Sequence, residues 1–267
     1  MPARVRPPRA LPGRLTLAFG GLAGLLLVFL AVPVFTLLLG STPADLADTL
    51  AEAEVLRSWR ITLQAAGLAT ILGLLSGVPL AYLLARRPFR GRLLVDGLLG
   101  LPIIIPHTSA GVALLLTFGA RGTLGRLLGT VGLLFTDHVA GIVVAMLFVG
   151  VPFLVSNARV AFAGIHPELE QAACVDGASG WQSFWRVTLP LARRGVASGA
   201  LMMWARGISE FGAVVLLAYH PRTLAVLVYE RFQGYGLAAA TPLAALMMLL
   251  ALLVFALLSV WGEREEG

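Results

Sequence analysis

The sequence predicts an all-α integral membrane protein with six transmembrane helices. Apolar residues make up 58% of the 267-residue chain, charged residues only 13%, and the mean hydropathy is +0.88. An ordinary soluble domain, a disordered chain and a coiled coil all contain more polar or charged residues than this. The apolar residues also form long runs whose flanks carry the arginines, as expected for a chain that is solvated by a lipid bilayer.

Six apolar runs account for the predicted spans. A transmembrane helix needs about 20 mostly apolar residues, and the runs that satisfy this are 15–39, 61–85, 93–118, 139–163, 195–218 and 237–261. The first run is longer than the roughly 7–15-residue apolar region of a signal peptide, so we interpret it as an uncleaved span. Gly40 ends this span, and Thr42, Pro43 and Asp45 predict the start of a short outer helix.

The arginines predict the orientation in the membrane. All 20 basic residues are Arg, and most lie in the N-terminal arm, in loop 86–92, in segment 159–194 and in the C-terminal tail. Because cytoplasmic loops of membrane proteins are enriched in basic residues, we expect both termini on the cytoplasmic side of a prokaryotic inner membrane. The segments expected outside carry acidic residues as well as Arg, so they predict neither electrostatic anion capture nor nucleic-acid binding.

Residue types that catalysis or metal binding requires are scarce. The absence of Lys excludes a P-loop ATPase, whose motif uses Lys to bind phosphates, so a partner would have to bind ATP and Mg²⁺. The single cysteine, Cys174, has no disulfide partner, and the histidines at 107, 138, 166 and 220 lack paired metal-ligand spacing. We therefore expect no catalytic residue, no metal site and no cofactor in this chain.

Segment 164–194 is the longest interruption between predicted spans, and its pattern indicates helix, turn, helix. Pro167 is typical of a first helical position, and Gly177 can adopt the positive φ that a turn requires. Ser179 and Gln182 have the spacing of a capping box at the second helix. Behind this cap, an aromatic stripe with i, i+3, i+4 spacing predicts packing on a partner or on the membrane interface: Trp181, Phe184 and Trp185.

The residues from Gln171 onward have a specific long-range spacing. Gln-Ala-Ala is followed after three residues by Gly177 and after nine more by Val187, and Leu189 and Pro190 come one residue later. This pattern resembles the EAA loop of ABC importer membrane subunits, with Gln171 replacing the usual Glu and Val187 the usual Ile. The resemblance implies coupling helices between spans four and five that dock in a groove of an ATPase subunit. It assigns this coupling to Glu168, Glu170, Gln171, Ala172, Ala173, Asp176, Gly177, Ala178, Leu189 and Pro190.

The resemblance covers residues 57–262 and implies the permease domain of a type I importer, with its coupling loop at 164–190. Residues 1–56 would form a cytoplasmic arm, the first transmembrane helix and the outer helix, and residues 263–267 a cytoplasmic tail. The family implies a second permease copy, expected here as a homodimer, a cytoplasmic ATPase dimer and an extracytoplasmic substrate-binding protein. ATP binding would switch the complex between inward-facing and outward-facing states.

Two charged residues, Arg206 and Glu210, are predicted near the middle of the fifth span. A charge at the centre of a transmembrane helix costs about 2.5–3.5 kcal/mol on insertion scales, so the two side chains are expected to pair or to face a cavity. Run 209–213, Ser-Glu-Phe-Gly-Ala, resembles the fifth-span motif of molybdate, tungstate and sulfate permeases. Its extension looks most like the tungstate/molybdate branch, with sulfate as the alternative substrate, and this likeness rests on Tyr219, His220, Pro221, Tyr229, Glu230 and Arg231. Together these features predict a pathway or gate formed by Arg206, Ser209, Glu210, Phe211, Gly212 and Ala213.

Two other classes of membrane protein fit the same residues less well. Gly177-Ala-Ser-Gly180 matches a nucleophile pattern that would suit an intramembrane serine protease, but Ser179 lies outside the predicted spans. A secondary carrier or channel would need no ATPase and would leave the coupling loop unexplained.

His107, in the middle of the third span, is expected to pack through hydrogen bonds because no intramembrane carboxylate lies near it in sequence.

Overall fold

The computed structural model describes residues 13–263, and this part of the chain consists of helices and connecting turns without a β-strand. Residues 1–12 and 264–267, where the sequence predicts the cytoplasmic arm and most of the tail, lie outside the described residues. One π-helical segment, Phe184–Thr188, separates the ninth and tenth α-helices. The α-helices are α1 (Gly13–Leu39), α2 (Pro43–Ala51), α3 (Ala53–Arg86), α4 (Arg92–Ile104), α5 (His107–Phe118), α6 (Thr123–Gly129), α7 (Val139–Ala163), α8 (Pro167–Val175), α9 (Gly180–Ser183), α10 (Leu189–Ile208), α11 (Gly212–Leu217), α12 (Leu224–Tyr235) and α13 (Leu237–Glu263).

Four of the described helices are long and apolar enough to cross a membrane. They contain the stretches Leu15–Leu39, Ala53–Arg86, Val139–Ala163 and Leu237–Ala256, which correspond to the predicted spans one, two, four and six. The helix α10 has 20 residues but carries Arg193, Arg194 and Arg206. It is therefore not among the helices that qualify as spans by length and composition alone.

The predicted third span, 93–118, is not one continuous helix. It is divided into α4 and α5, whose axes are bent by 118°. Ile105 is extended at the bend (φ −73°, ψ 146°), which is the conformation that a residue before proline prefers. Pro106 then has no N–H to donate to the preceding turn. The two helices form either a single broken span or a re-entrant loop.

The predicted fifth span, 195–218, is also interrupted. It is divided between α10 and α11, and residues 209–211 form the break. The Glu210 carboxylate accepts a hydrogen bond from the Ala213 N–H at 2.8 Å, so it satisfies a free donor in the first turn of α11. The prediction of a continuous helix was wrong here because average hydropathy does not detect a local break in the hydrogen-bond ladder.

The core is formed where α3, α7 and α10 pack against one another. Small residues allow this close packing, as is common between membrane helices. A Cβ atom at Gly73 of α3 would lie 2.5 Å from the Met203 sulfur, and a Cβ at Gly150 of α7 would lie 2.9 Å from the Met203 Cγ. The buried face of α3 includes Ala65, Ala66, Ala69, Gly73 and Gly77.

The short helix α2 begins as the sequence predicts. Thr42 is its N-cap and accepts a hydrogen bond from the Asp45 N–H at 3.2 Å, and Pro43 is in the first turn. The Asp45 carboxylate in turn accepts the Thr42 N–H at 2.8 Å. The hydrogen bonds from the Thr42 hydroxyl and from its N–H lower the pKa of Asp45 below the usual aspartate value.

Candidate coupling segment and candidate translocation site

Residues 164–190, which we call the coupling segment, have the local structure that the sequence predicts. Pro167 opens α8, and Gly177 lies in the left-handed region at φ +92° in the turn that follows. At the start of α9, Ser179 Oγ accepts the Gln182 N–H at 3.2 Å and Gln182 Oε1 accepts the Ser179 N–H at 2.9 Å. The two short helices of the segment are therefore joined by a turn in which glycine avoids backbone strain.

The residues predicted for ATPase coupling divide into an exposed and a half-buried set. The exposed residues are Glu168, Gln171, Ala172, Asp176, Gly177 and Pro190. The half-buried residues are Glu170, Ala173, Ala178 and Leu189. The exposed residues lie on the solvent-accessible side of α8, in the turn after it and at the start of α10. A partner protein can reach them there.

The aromatic stripe, Trp181, Phe184 and Trp185, also divides into exposed and half-buried side chains. Trp181 is 71% exposed and Trp185 is 50% exposed, and their rings contact each other at a centroid distance of 5.6 Å. Phe184 instead turns toward the transmembrane helices, where its ring centre lies 5.0 Å from Tyr82 and 6.2 Å from Phe162. The coupling segment thus exposes four large apolar side chains, Leu169, Val175, Trp181 and Trp185, which together we call its exposed apolar face.

Glu170 is turned away from this exposed face and toward α3. Its Oε1 accepts hydrogen bonds from Arg86 Nε at 3.0 Å and from Thr188 Oγ1 at 2.8 Å, and Arg86 Nη2 lies 2.9 Å away. Its Oε2 accepts the Tyr82 hydroxyl at 3.2 Å. Arg86 Nη1 also donates to the Ile165 carbonyl at 3.0 Å. The sequence indicated none of these partners, because Arg86 lies 84 positions from Glu170.

Arg206 and Glu210 form an ion pair at the break between α10 and α11. Arg206 Nη2 lies 2.8 Å from Glu210 Oε2, and the Glu210 side chain is 1% exposed. Arg206 Nη2 also donates to His107 Nε2 at 2.7 Å, and Nη1 donates to Ser209 Oγ at 3.2 Å. The pairing that the i, i+4 spacing predicts is therefore confirmed. We call these four residues the charged cluster.

His107 has a larger role in this cluster than the sequence indicated. The expected hydrogen bond is present, but its partner Arg206 lies 99 positions away, and Glu210 Oε2 is 3.7 Å from His107 Nδ1. No intramembrane carboxylate lies near His107 in sequence, but the fold places Glu210 beside it. The sequence signal that was available is Pro106, which directly precedes His107 and marks the start of α5.

The two helix breaks meet at this cluster. A Cβ atom at Gly212 would lie 2.8 Å from the His107 Cβ and 3.1 Å from the Thr108 nitrogen. A Cβ atom at Gly111 would lie 3.0 Å from the Ala213 Cα. Glycine therefore allows α5 and α11 to touch through their backbones beside both breaks. Interrupted backbone at membrane depth is tolerated where protein buries it or where it lines a water-filled cavity.

Comparison with known proteins adds to this geometry. Residues 73–264 match the family described as "Binding-protein-dependent transport system inner membrane component". The chain belongs to this family. It is therefore an inner-membrane transport subunit and not an enzyme.

Individual relatives match over most of their length. The molybdate/tungstate transport system permease protein WtpB of Pyrococcus furiosus is 41% identical over 243 residues, which cover 90% of this chain and 92% of the relative. The sulfate transport system permease protein CysT of Escherichia coli is 30% identical over 270 residues, or 97% of both chains. A chain in the crystal structure of a bacterial alginate ABC transporter, solved with a pentasaccharide-bound periplasmic protein, has the same fold (TM-score 0.73, 21% identity, 94% and 95% coverage).

The fourth predicted pathway residue, Phe211, connects the break in this permease subunit to α12. Its ring centre lies 4.8 Å from that of Tyr229. Gly212 and Ala213 are buried in the first turn of α11. The structure thus brings all six predicted pathway residues to one place, at the end of α10.

Ion pairs connect α12 and the loop before it with the start of α3 and with Glu52, which lies between α2 and α3, at the end of the permease that the sequence predicts to be extracytoplasmic. They connect Arg231 with Glu52, and Arg222 with both Glu54 and Glu230. Burial raises the pKa of the nearby Tyr219, and the charge of Glu230 raises it further. Beside these pairs an open cleft of about 620 Å³ is lined by Arg57, Asp137, His220 and other residues.

The described residues give no support to a hydrolase or metal site. The Ser179 hydroxyl is engaged as a helix cap with Gln182, and no hydrogen bond in the described part of the chain joins it to a histidine. Residues 13–263 contain no group of three or more His, Cys, Asp or Glu that could hold a metal ion.

Proposed function

We propose that this chain is the membrane-spanning permease of an ATP-driven ABC importer that carries molybdate or tungstate into the cytoplasm. The observation that carries the proposal is its 41% identity to the molybdate/tungstate permease of Pyrococcus furiosus over 90% of the chain. Sulfate is the second candidate because of the 30% identity to the Escherichia coli sulfate permease. All three anions are tetrahedral dianions, so we assign the choice among them mainly to the substrate-binding protein.

In this proposal the chain crosses the membrane six times, with both termini in the cytoplasm. The spans are α1, α3, the broken pair α4 and α5, α7, the broken pair α10 and α11, and α13. Basic residues support the orientation: Arg86 lies against the coupling segment, and Arg159 pairs with Asp96 in the helix α4 that follows loop 86–92. A concentration of Arg at one end is typical of the cytoplasmic side.

A second permease copy completes the proposed pathway as a homodimer. The helix α1 packs on α13 but leaves large apolar side chains exposed along its length, among them Leu17, Leu22, Leu25 and Phe29. Such a surface needs lipid or another protein chain as its neighbour. The two copies would enclose the anion path between them.

The exposed apolar face of the coupling segment is the proposed docking surface for a cytoplasmic ATPase dimer. Val175 is 86% exposed at the end of α8, and Trp181 in α9 and Trp185 in the π-helical segment are also exposed. Exposed tryptophans beside a short helix suit a contact in which a helix lies in a groove of the partner. ATP and Mg²⁺ bind to that partner, and nucleotide-driven closure moves the coupling segment.

The charged cluster is the proposed gate or contact point on the anion path. Glu210 balances the charge of Arg206, so a passing dianion meets hydrogen-bond donors without a strong excess of positive charge. This is suitable for transport, because a site on a pathway must release the ion that it admits. Ser209, which is exposed, and His107, whose side chain is 41% exposed, are the side chains that would make brief contacts.

The deciding experiment reconstitutes the permease with its cognate ATPase and binding protein in liposomes and measures uptake of molybdate, tungstate and sulfate in competition. We expect ATP-dependent uptake that prefers molybdate or tungstate. A preference for sulfate would keep the importer and overturn the substrate. Uptake by the permease alone, without ATPase or ATP, would instead indicate a carrier or channel.

A further inference from the structure

The EAA-like motif places Glu170 among the residues expected to couple to the ATPase. Its contacts in the structure point to a different role. Both carboxylate oxygens are occupied within the chain: Oε1 by Arg86 and Thr188, and Oε2 by Tyr82. The Glu170 side chain is 17% exposed and that of Arg86 is 11% exposed. A carboxylate with these hydrogen bonds and this burial has little remaining capacity to accept a hydrogen bond from the ATPase.

These contacts join elements that are distant in sequence. Tyr82 and Arg86 belong to the last turns of α3, and Thr188 ends the π-helical segment that continues into α10. Arg86 also holds the Ile165 carbonyl, which lies directly after α7. One carboxylate and one guanidinium therefore connect α8 to the ends of the three helices that form the transmembrane core.

The chemistry of the contact favours a firm connection. Hydrogen bonds between a guanidinium and a carboxylate are charge-assisted and stronger than neutral ones. Partial burial also reduces the screening that weakens ion pairs on open surfaces. The neighbouring aromatic contact between Tyr82 and Phe184 holds the second half of the coupling segment against the same turn of α3.

We propose that Glu170 is a positioning residue that clamps the coupling segment to α3 and α10. Through this clamp a displacement of α8 by the ATPase moves the core helices together with it, and docking itself is left to the exposed apolar face. The inference rests on the proposed function, because it assumes that the ATPase binds the coupling segment.

The test uses the complete transporter in liposomes with four variants: Glu170→Gln, Arg86→Gln, the double variant and Arg86→Lys. Each single Gln variant should lower the amount of molybdate taken up per ATP hydrolysed by about tenfold, the effect of losing one charge-assisted contact. The double variant should be no worse than either single, because both remove the same interaction. Arg86→Lys should recover part of the coupling, since Lys keeps the charge but not the planar fork.

Two further readouts separate clamping from docking. The affinity of the permease for the ATPase should stay within about twofold of wild type in every variant, because the docking face is intact. Amide hydrogen exchange in Pro167–Val175 should increase in Glu170→Gln and Arg86→Gln, because α8 is no longer held. Arg87→Gln is the matched control, since Arg87 is the exposed neighbour of Arg86 and should behave like wild type.

Several results would overturn the clamp. Loss of ATPase affinity in Glu170→Gln but not in Arg86→Gln would make Glu170 a docking residue. Additive losses in the double variant, or unchanged coupling in both singles, would show that the pair has no such role. Failure of the proposed function is distinguishable, because the wild-type complex would then take up no molybdate while hydrogen exchange in α8 would still report on the clamp.

Discussion

Replacing Glu210 with Gln tests whether the ion pair at the break holds α10 and α11 in their observed arrangement. The Glu210 side chain is 1% exposed, and its Oε2 lies 2.8 Å from Arg206 Nη2. Gln has nearly the same size, and its Oε1 can still accept the Ala213 N–H that now binds the carboxylate at 2.8 Å. The substitution therefore removes the charge and leaves Arg206 without its anionic partner.

The expected destabilisation follows from the burial of the pair. Removing one partner of a buried ion pair costs about 3–5 kcal/mol. Arg206 is 22% exposed and keeps its contacts with His107 and Ser209, so the lower end applies. A loss of about 3 kcal/mol lowers the unfolding midpoint of a chain this large by roughly 6–12 °C.

The assay is thermal unfolding of the purified transporter, followed by intrinsic fluorescence, together with molybdate uptake in liposomes. Arg206→Met combined with Glu210→Gln removes both charges and should recover most of the stability, because no buried charge is then left without its partner. It should not recover uptake if the cluster contacts the anion. Asp48→Asn, an exposed carboxylate on α2, is the control that should leave both measurements unchanged.

A midpoint for Glu210→Gln within about 2 °C of wild type, with normal uptake, would refute the reasoning. The double variant provides a second check. If it were as unstable as the single variant, the cause would not be an unpaired buried arginine.

Three further predictions concern glycine positions and a helix cap. Gly177→Val should uncouple ATP hydrolysis from uptake, because a β-branched residue disfavours φ +92°; coupled uptake at the wild-type rate would contradict this. Gly212→Ala should destabilise the permease by about 1–3 kcal/mol, since its methyl would lie 2.8 Å from the His107 Cβ. Gly67→Ala is its control, with nothing within 4 Å, and equal melting of both variants would refute the close approach. Thr42→Ala should speed amide exchange in α2 by about fivefold, as expected from loss of an N-cap, and unchanged exchange would show that the cap does not hold the helix.

The features that the sequence predicted correctly depend on residues a few positions apart. The helix cap at Thr42, the capping box at Ser179 and the positive φ of Gly177 are all present. The pairing of Arg206 with Glu210 is also local, since the two residues are one helical turn apart. Long apolar runs predicted four of the spans for a similar reason, because hydropathy is a sum over neighbouring residues.

The features that the sequence did not predict depend on contacts between distant segments. A charge in an apolar environment indicates that a partner is needed, but it does not indicate which one. Glu170 binds Arg86 of α3, and Arg206 donates a hydrogen bond to His107 of α5. The breaks near Pro106 and at residues 209–211 escaped prediction because the apolar composition continues across them while the helical hydrogen bonding does not.

The position of α10 explains how the coupling segment and the charged cluster can act together. This helix has 20 residues, or about 30 Å at 1.5 Å per residue. It begins next to Thr188, which binds Glu170, and it carries Arg206 in its last turn. It also packs closely on α7, where a Cβ at Gly199 would lie 2.9 Å from the Asn157 Cβ, so it should move as a rigid element. A displacement at the coupling segment would then reach residues 209–211, where the helical ladder is interrupted and the change in direction can be absorbed. Under the proposed function the break would serve as both hinge and gate, and the proposed anion contact would lie at the point where movement of α10 changes the structure most.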